Sequence, residues 1–378
     1  MAGSIRKRGN SWHVVVDLGR DPATGKRRQL HRSVRGTRRE AEDVKFDLLK
    51  QRNNGIDQPA YKLPVSSYLE RWLKSYGETR LAPSTLKRYQ ELVRLHLAPN
   101  LQALTLSALR PLHIEECYSR LLAKGLSPRT VLQAHRILRE SLHHAVRWQL
   151  LGRNPADSVA TPRPSRYQVA AVPPQTVIRL LDAAEASPIN ILIRLAITTG
   201  LRQGELLGLR WKDIDLKTGV VHVRQALQWL PGQKASFRQP KTHRSERPVA
   251  ISKTLIARLN EHRRKQLEGR LLAGPLYQDH DLVFATSVGT PIHPDSLRRS
   301  WRAVLKQAGI SPLRFHDLRH IHASLLLAQG THPKVVSERL GHSAIGITMD
   351  TYSHTLPNLQ REAAELLEQL LEAAVTNR

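Results

Sequence analysis

A single cysteine, Cys117, stands in 378 residues, which excludes an internal disulfide and a thiolate metal cluster. A reducing interior fits such a chain. No apolar run approaches the roughly 18 to 20 residues of a spanning helix, and no apolar core of an export signal follows Met1. The expectation is therefore a cytoplasmic protein with no membrane partner. His-Glu-x-x-His, Gly-x-x-x-x-Gly-Lys-Ser/Thr and Gly-x-Gly-x-x-Gly are all missing, so neither a zincin metal site nor a nucleotide cofactor is indicated. No cofactor and no metal is expected. Acidic residues are also scarce: 32 Asp and Glu against 59 Lys and Arg give a formal charge of +27, well beyond what solubility needs. A polyanionic partner follows, with nucleic acid the leading class.

The length suits two or three domains of ordinary size. Patterning divides it into 1–58, 62–160, a linker at 161–172, and 173–378. Residues 1–39 hold eleven Lys and Arg against Asp17 and Asp21. Trp12, Val14 and Val16 alternate with polar neighbours, Asp21-Pro22-Ala23-Thr24-Gly25 makes a turn, and 29–34 reads as a returning strand. Thr37 caps a helix over 38–50. This is a small basic sheet backed by one helix, with Arg6, Lys7, Arg8, Lys26, Arg27 and Arg28 as candidate DNA contacts.

From 65 to 159 the period becomes helical, most clearly where Val131, Ala134, Ile137, Leu138, Ser141, Leu142, Ala145 and Trp148 share one side. That stripe reads as core. Off it, Lys87, Arg88, Arg129 and Arg136 are candidate phosphate contacts, with a solvated face the competing reading for each. Thr161-Pro162-Arg163-Pro164 is a linker. The last unit reads as helices over 175–186, 189–199, 253–267, 294–307, 317–329, 333–340 and 357–374. One antiparallel sheet is expected from 219–227, 233–238 and 247–251, and a short strand at 282–285. The fold class is mainly α with small antiparallel β-sheets, an α+β chain of several domains.

Residues 315–354 carry imidazole, guanidinium and phenol groups in close succession, a set that suits a phosphodiester. Thr199-Gly200-Leu201-Arg202-Gln203-Gly204-Glu205 puts Arg202 after a glycine break at a helix start, where an anion is favoured, with Glu205 on the same side. A structural ion pair is the other reading. Lys241, in Pro240-Lys241-Thr242, is either a solvated loop tip or a proton donor to a leaving alkoxide. In His316-Asp317-Leu318-Arg319-His320, His316 and Arg319 share a face that suits one phosphate. Two alternatives stand beside it: a metal site using His316, Asp317 and His320, and a purely structural helix start capped by Asp317. His342 precedes a helix break in Leu340-Gly341-His342-Ser343, and Tyr352 lies in Thr351-Tyr352-Ser353-His354.

In this order, these five motifs resemble the catalytic domain of the tyrosine recombinases, the phage integrase family, over about 175–356. The resemblance implies catalytic positions at Arg202, Lys241, His316, Arg319, His342 and Tyr352, with Glu205 and His320 in support. Ile321 stands where many members have threonine. The helical unit is similar to the family's core-binding domain, and the basic N-terminus to an arm-type DNA-binding domain. The resemblance further implies a bacterial host, double-stranded attachment sites as substrate, a homotetramer on DNA, and a DNA-bending protein or excisionase as accessory. After Tyr352, the apolar stripe Leu359, Ala363, Leu366, Leu367, Leu370, Leu371 and Ala374 reads as a helix packed on its own domain, or, by the resemblance, docked on a neighbouring protomer. A type IB topoisomerase, a non-catalytic DNA-binding regulator and a metal-dependent nuclease are the competing functions.

Overall fold

A computed structural model describes residues 3–20, 27–53, 63–165, 172–229, 232, 234–239 and 246–352, with short pieces at 364–365, 367–369 and 372. The chain divides into two compact units, Met1–Arg166 and Tyr167–Arg378.

In the first unit, β1 (Gly3–Arg8), β2 (Ser11–Arg20) and β3 (Arg27–Val34) form an antiparallel sheet in the order β1-β2-β3. The alternation of β2 places Val14 and Val16 inside, where α1 (Arg38–Asn53) covers them with Ala41 and Leu48. The start of α1 is a reciprocal cap: Glu40 accepts from the Thr37 amide at 2.8 Å, while the Glu40 amide donates to the Thr37 hydroxyl at 3.3 Å. Strand β1 was not expected, because Ile5 is the one large apolar side chain in Gly3–Arg8 and the segment shows no alternation.

A separate apolar cluster organises α2 (Val65–Trp72), α3 (Glu78–Arg80), α4 (Pro83–Leu92), α5 (Ala98–Leu101), α6 (Pro111–Ala123) and α7 (Pro128–Arg147). Two π-helical turns, Leu73–Gly77 and Val93–Leu97, join α2 to α3 and α4 to α5, so the helical period shifts within what the sequence presents as unbroken stripes. Ser127 caps α7 by accepting from the Thr130 amide at 3.2 Å, and Pro128 fills the first helical position. Trp148 is the residue that ends α7 and is 42% exposed. Burial pushes the Cys117 thiol up to about 11, so it is a packed side chain and no nucleophile at neutral pH.

The second unit holds α8 (Pro174–Ala184), α9 (Asn190–Thr199), α10 (Gln203–Leu207), α11 (Lys253–Ala273), α12 (Pro294–Ala308), α13 (Asp317–Ala328), α14 (Pro333–Leu340) and α15 (Ile345–Tyr352). Helix α9 sits in the core, with Leu192, Ile193, Leu195, Ala196 and Ile197 all buried, as its double apolar triplet predicts.

Two expectations need correction here. The region 219–251 forms two sheets rather than one: β4 (Ile214–Asp215), β5 (Val220–Val223) and β8 (Arg247–Ala250) in one, and the hairpin β6 (Ala226–Gln228) and β7 (Ser236–Arg238) in the other. The break falls at Gln225, whose side chain donates to the Gly208 carbonyl at 2.7 Å. Glycine permits this: a Cβ on Gly208 would stand 2.7 Å from the Leu227 nitrogen, and one on Gly204 2.9 Å from its carbonyl oxygen. The segment 282–285 is not a strand but makes single bridges, Arg210 with Leu282 and Ala285 with Pro291. Side chains of α11 occupy its carbonyls instead, Gln266 donating to Leu282 at 3.0 Å and His262 bonding Val283 at 2.8 Å. The expected helix over 357–374 falls mostly outside the described residues.

Candidate active site

The site lies in the second unit, where the ends of α9 and α14 meet the starts of α10 and α13. Helix α9 stops at Gly200, whose φ of 66° is left-handed. A Cβ there would lie 2.6 Å from the His322 ring and 2.7 Å from Leu340, so only glycine fits. The chain then turns and presents Arg202 as the residue before α10. Glu205 accepts the Arg202 backbone N–H at 2.9 Å and one guanidinium nitrogen at 2.7 Å, while the other guanidinium nitrogen donates to the Gly341 carbonyl at 3.3 Å. The ion pair is therefore real, yet the Arg202 side chain stays 39% exposed and keeps an open face.

Arg319, on the first turn of α13, is buried and donates to the carbonyls of Gly200 at 2.7 Å and Leu340 at 2.5 Å. These acceptors are the last peptides of α9 and α14, carbonyls that an ending helix leaves unpaired. A third guanidinium, Arg247 of β8, completes the arrangement. It bonds Glu205 from two nitrogens, at 2.9 and 3.3 Å, and the Arg339 carbonyl from a third at 2.6 Å. Burial opposes ionisation of Glu205, but Arg247 and Arg202 outweigh it and hold the carboxyl below its ordinary value.

Three imidazoles share this positive surrounding. Burial, and then the Arg319 and Arg202 charges, lower His342 to about 4; its Nδ1 lies 2.8 Å from the buried Thr348 hydroxyl. Burial and the neighbouring His316 lower His320 to about 4, and the two rings meet edge to face with centroids 5.6 Å apart. His316 is lowered by burial and by Arg319. All three are neutral near pH 7, able to give or take a proton at one ring nitrogen.

Arg202, Glu205, His316, Arg319, His320 and His342 thus belong to one cluster built from segments far apart in sequence. Tyr352 is the last residue of α15, the helix that carries Thr348; its side chain, and all of 240–245 including Lys241, lie outside the described residues. Asp317 accepts from the Arg314 amide at 2.9 Å and pairs with its guanidinium at 2.7 Å, which ties the turn before α13 to its first residue; the start of α13 carries no side-chain cap, so the capping expected of Asp317 is not what it does. Among the described residues no three His, Cys, Asp or Glu side chains are grouped to hold a metal ion.

Of the candidate DNA contacts, Arg6, Lys7 and Arg8 are exposed on β1, and Arg129 and Arg136 are exposed on α7. Arg27 pairs with Asp17 at 2.6 Å, and Arg88 with Glu91 at 3.6 Å and the Gln133 side chain at 3.2 Å. Lys87 is half-buried, Lys26 is outside the described residues, and so is the Arg28 side chain. Arg247 and Thr348 were missed by the reading of the sequence. The signal for Arg247 was there: in Arg247-Pro248-Val249-Ala250 the two-residue period puts Arg247 on the same inward face as Val249.

Residues 171–358 match the phage integrase family, and 65–122 match the phage integrase N-terminal SAM-like domain. A tyrosine recombinase XerC-like protein of Caldanaerobacter subterraneus subsp. tengcongensis is 30% identical, over 95% of this chain and 96% of its own length. The ICEBs1 integrase of Bacillus subtilis is 29% identical over 97% of this chain and 100% of its own. Among solved structures, the Tn1549 transposon integrase in complex with a circular intermediate DNA superposes with a TM-score of 0.70, at 18% identity, covering 81% of this chain and 100% of that one. Among the described residues no helix is long and apolar enough to cross a membrane. With a relative of that identity along nearly its whole length, the chain belongs to the phage integrase family of tyrosine recombinases.

Proposed function

We propose that the protein is a site-specific integrase that cuts and rejoins DNA at attachment sites through a 3′-phosphotyrosine, with Arg202, Lys241, His316, Arg319, His342 and Tyr352 as its catalytic groups. One observation carries this reading: Arg319 is fixed by the carbonyls of Gly200 and Leu340 at two helix ends, and Arg202 by the adjacent Gly341 carbonyl and by Glu205, with three neutral imidazoles beside them. Such a cluster is preorganised for a phosphate and the charge that develops on it.

Tyr352 attacks a backbone phosphorus, forming its O–P bond as the bond to the 5′ oxygen breaks. The phenol proton passes to His316, neutral and therefore able to take it, and Lys241 gives a proton to the departing 5′ oxygen. Arg202 and Arg319 neutralise the non-bridging oxygens, and His342 adds a hydrogen bond. Glu205 and His320 orient these groups. The adduct keeps the phosphodiester energy, so a 5′ hydroxyl from another strand reverses the chemistry without ATP. No group in this sequence of steps calls for a metal or cofactor.

Two duplexes of two strands each require four nucleophiles, which argues for a homotetramer on DNA, with 357–374 docking on the neighbouring protomer. The 1–58 unit would hold arm-type sites and the 62–160 unit core sites, joined to the catalytic unit 173–378 by 161–172. An excisionase or DNA-bending protein would choose direction, and the substrate would be met at the bacterial nucleoid.

The test is a nicked duplex carrying the core site, identified by sequencing element junctions, incubated with protein in EDTA. An SDS-stable protein–DNA adduct is expected from the wild type and none from Tyr352→Phe. An adduct that persists in the variant, or one that forms only with metal, overturns the proposal. Strand transfer between two such sites separates a recombinase from a type IB topoisomerase.

A further inference from the structure

Arg247 is buried, and it bonds both Glu205 and the end of α14. Its guanidinium spends two nitrogens on Glu205, at 2.9 and 3.3 Å, and the third on the Arg339 carbonyl at 2.6 Å. Glu205 in turn fixes both the backbone and the fork of Arg202. The Arg339 carbonyl belongs to the last turn of α14, directly before Leu340, whose carbonyl holds Arg319, and Gly341, whose carbonyl holds Arg202. The fit is close. A Cβ on Gly341 would lie 2.9 Å from one Arg247 guanidinium nitrogen and 3.0 Å from its Cδ, so the glycine of Leu340-Gly341-His342 is the space that Arg247 fills.

The geometry points to Arg247 as a positioning residue for strand cleavage, a buried guanidinium that sets Arg202 through Glu205 and sets the Leu340-Gly341-His342 turn through the Arg339 carbonyl. This rests on the proposed recombinase reading. Arg247 does not meet the DNA, being 7% exposed and enclosed by protein partners. Neutralising Glu205 is not its whole task, because Arg202 already pairs with that carboxylate at 2.7 Å. What Arg247 adds is a rigid three-point link between the start of α10 and the end of α14, which a flexible ammonium of similar charge would not make.

The test compares wild type, Arg247→Lys, Glu205→Gln, Arg202→Ala and Tyr352→Phe on the nicked core-site duplex. Each is assayed with an ordinary scissile phosphate and with a neutral methylphosphonate there. For Arg247→Lys we expect unchanged DNA affinity and a cleavage rate at saturating DNA lower by about 100-fold, the scale of a small misplacement of a reacting group. The defect should shrink on the methylphosphonate, where the charge that Arg202 serves is gone, and Arg202→Ala should behave alike. Loss of stability alone would not depend on the charge of the phosphate. Glu205→Gln, which weakens the same link from its other side by turning one of the two accepting oxygens into a donor, should show the same dependence if Arg247→Lys does not fold. A wild type that forms no adduct overturns the recombinase reading itself. A wild type that does, with Arg247→Lys cleaving at the wild-type rate or equally impaired on both substrates, overturns the role of Arg247.

Discussion

The Nδ1 of His342 and the hydroxyl of Thr348 lie 2.8 Å apart, tying the turn after α14 to the helix that ends at Tyr352. Thr348 is fully buried, so its hydroxyl fixes the ring orientation and directs Nε2 elsewhere. Thr348→Val keeps the shape and removes the bond. Its expected cost is about 1 kcal/mol of stability, read from denaturant midpoints. Adduct formation should slow by roughly tenfold with DNA affinity unchanged, as expected where one oriented hydrogen bond is lost. An unchanged rate would mean that the His342 orientation does not matter to cleavage.

Glycine at the two helix ends supplies a second prediction. Gly341→Ala adds a Cβ at φ 65°, against the Arg247 guanidinium, and Gly200→Ala adds one at φ 66°, against the buried His322 and Leu340. The left-handed backbone alone costs roughly 1 to 2 kcal/mol. Gly200→Ala should exceed that, since the atoms it meets are packed side chains with little room to move. Gly125→Ala, where a Cβ would meet nothing within 4 Å, is the control that carries the backbone cost alone. Chemical denaturation should rank Gly200→Ala as the less stable of the two; equal losses at Gly200 and Gly125 would contradict the packing argument.

Acid should weaken the DNA-free protein. His320, His322 and His342 are all lowered to about 4, mainly by burial, and His316 is lowered too. An ordinary histidine titrates near 6.5, so between there and about 4 the unfolded chain binds more protons than the folded one. Stability is complete above that window and is lost as pH falls through it. Glu205 and Asp317, held below ordinary carboxyl values by their arginine partners, extend the loss below the carboxylate range. The melting temperature should therefore be lower at about pH 5 than at about pH 7.5. A flat profile over that interval would mean that these rings are not neutral when folded.

The patterns that survived into the structure are those that one segment states by itself. The stripe of α7, the double triplet of α9 and the alternation of β2 each fix an element from its own residues, because burial of one face decides them. The arrangement of the candidate site is written differently. Arg319 meets the Gly200 carbonyl across 119 residues and Arg202 meets the Gly341 carbonyl across 139, and a backbone acceptor has no residue type to read. Arg247 escaped for the same reason: its partners are a carboxylate 42 residues away and a carbonyl 92 residues away. The separation of the β6–β7 hairpin from the other sheet was hidden because it depends on how closely the Leu227 backbone can approach Gly204 and Gly208.

The helical unit offers a test of DNA contact free of catalysis. Arg136 is exposed on α7 beside Arg139, His143 and Arg147 around a concave surface, whereas Arg88 is engaged with Glu91 and Gln133. Arg136→Ala should weaken binding to core DNA about equally across sequences and flatten the dependence of log affinity on log salt by about one. Arg88→Ala should do less. The reverse order would place the DNA on another face of this unit.

The most direct measurement is to digest the covalent complex formed on the nicked core site and identify the adducted peptide by mass spectrometry. The account predicts a nucleotide joined through its 3′ phosphate to Tyr352, on a peptide spanning α15. A nucleotide on any other residue, or one attached through a 5′ phosphate, would contradict it.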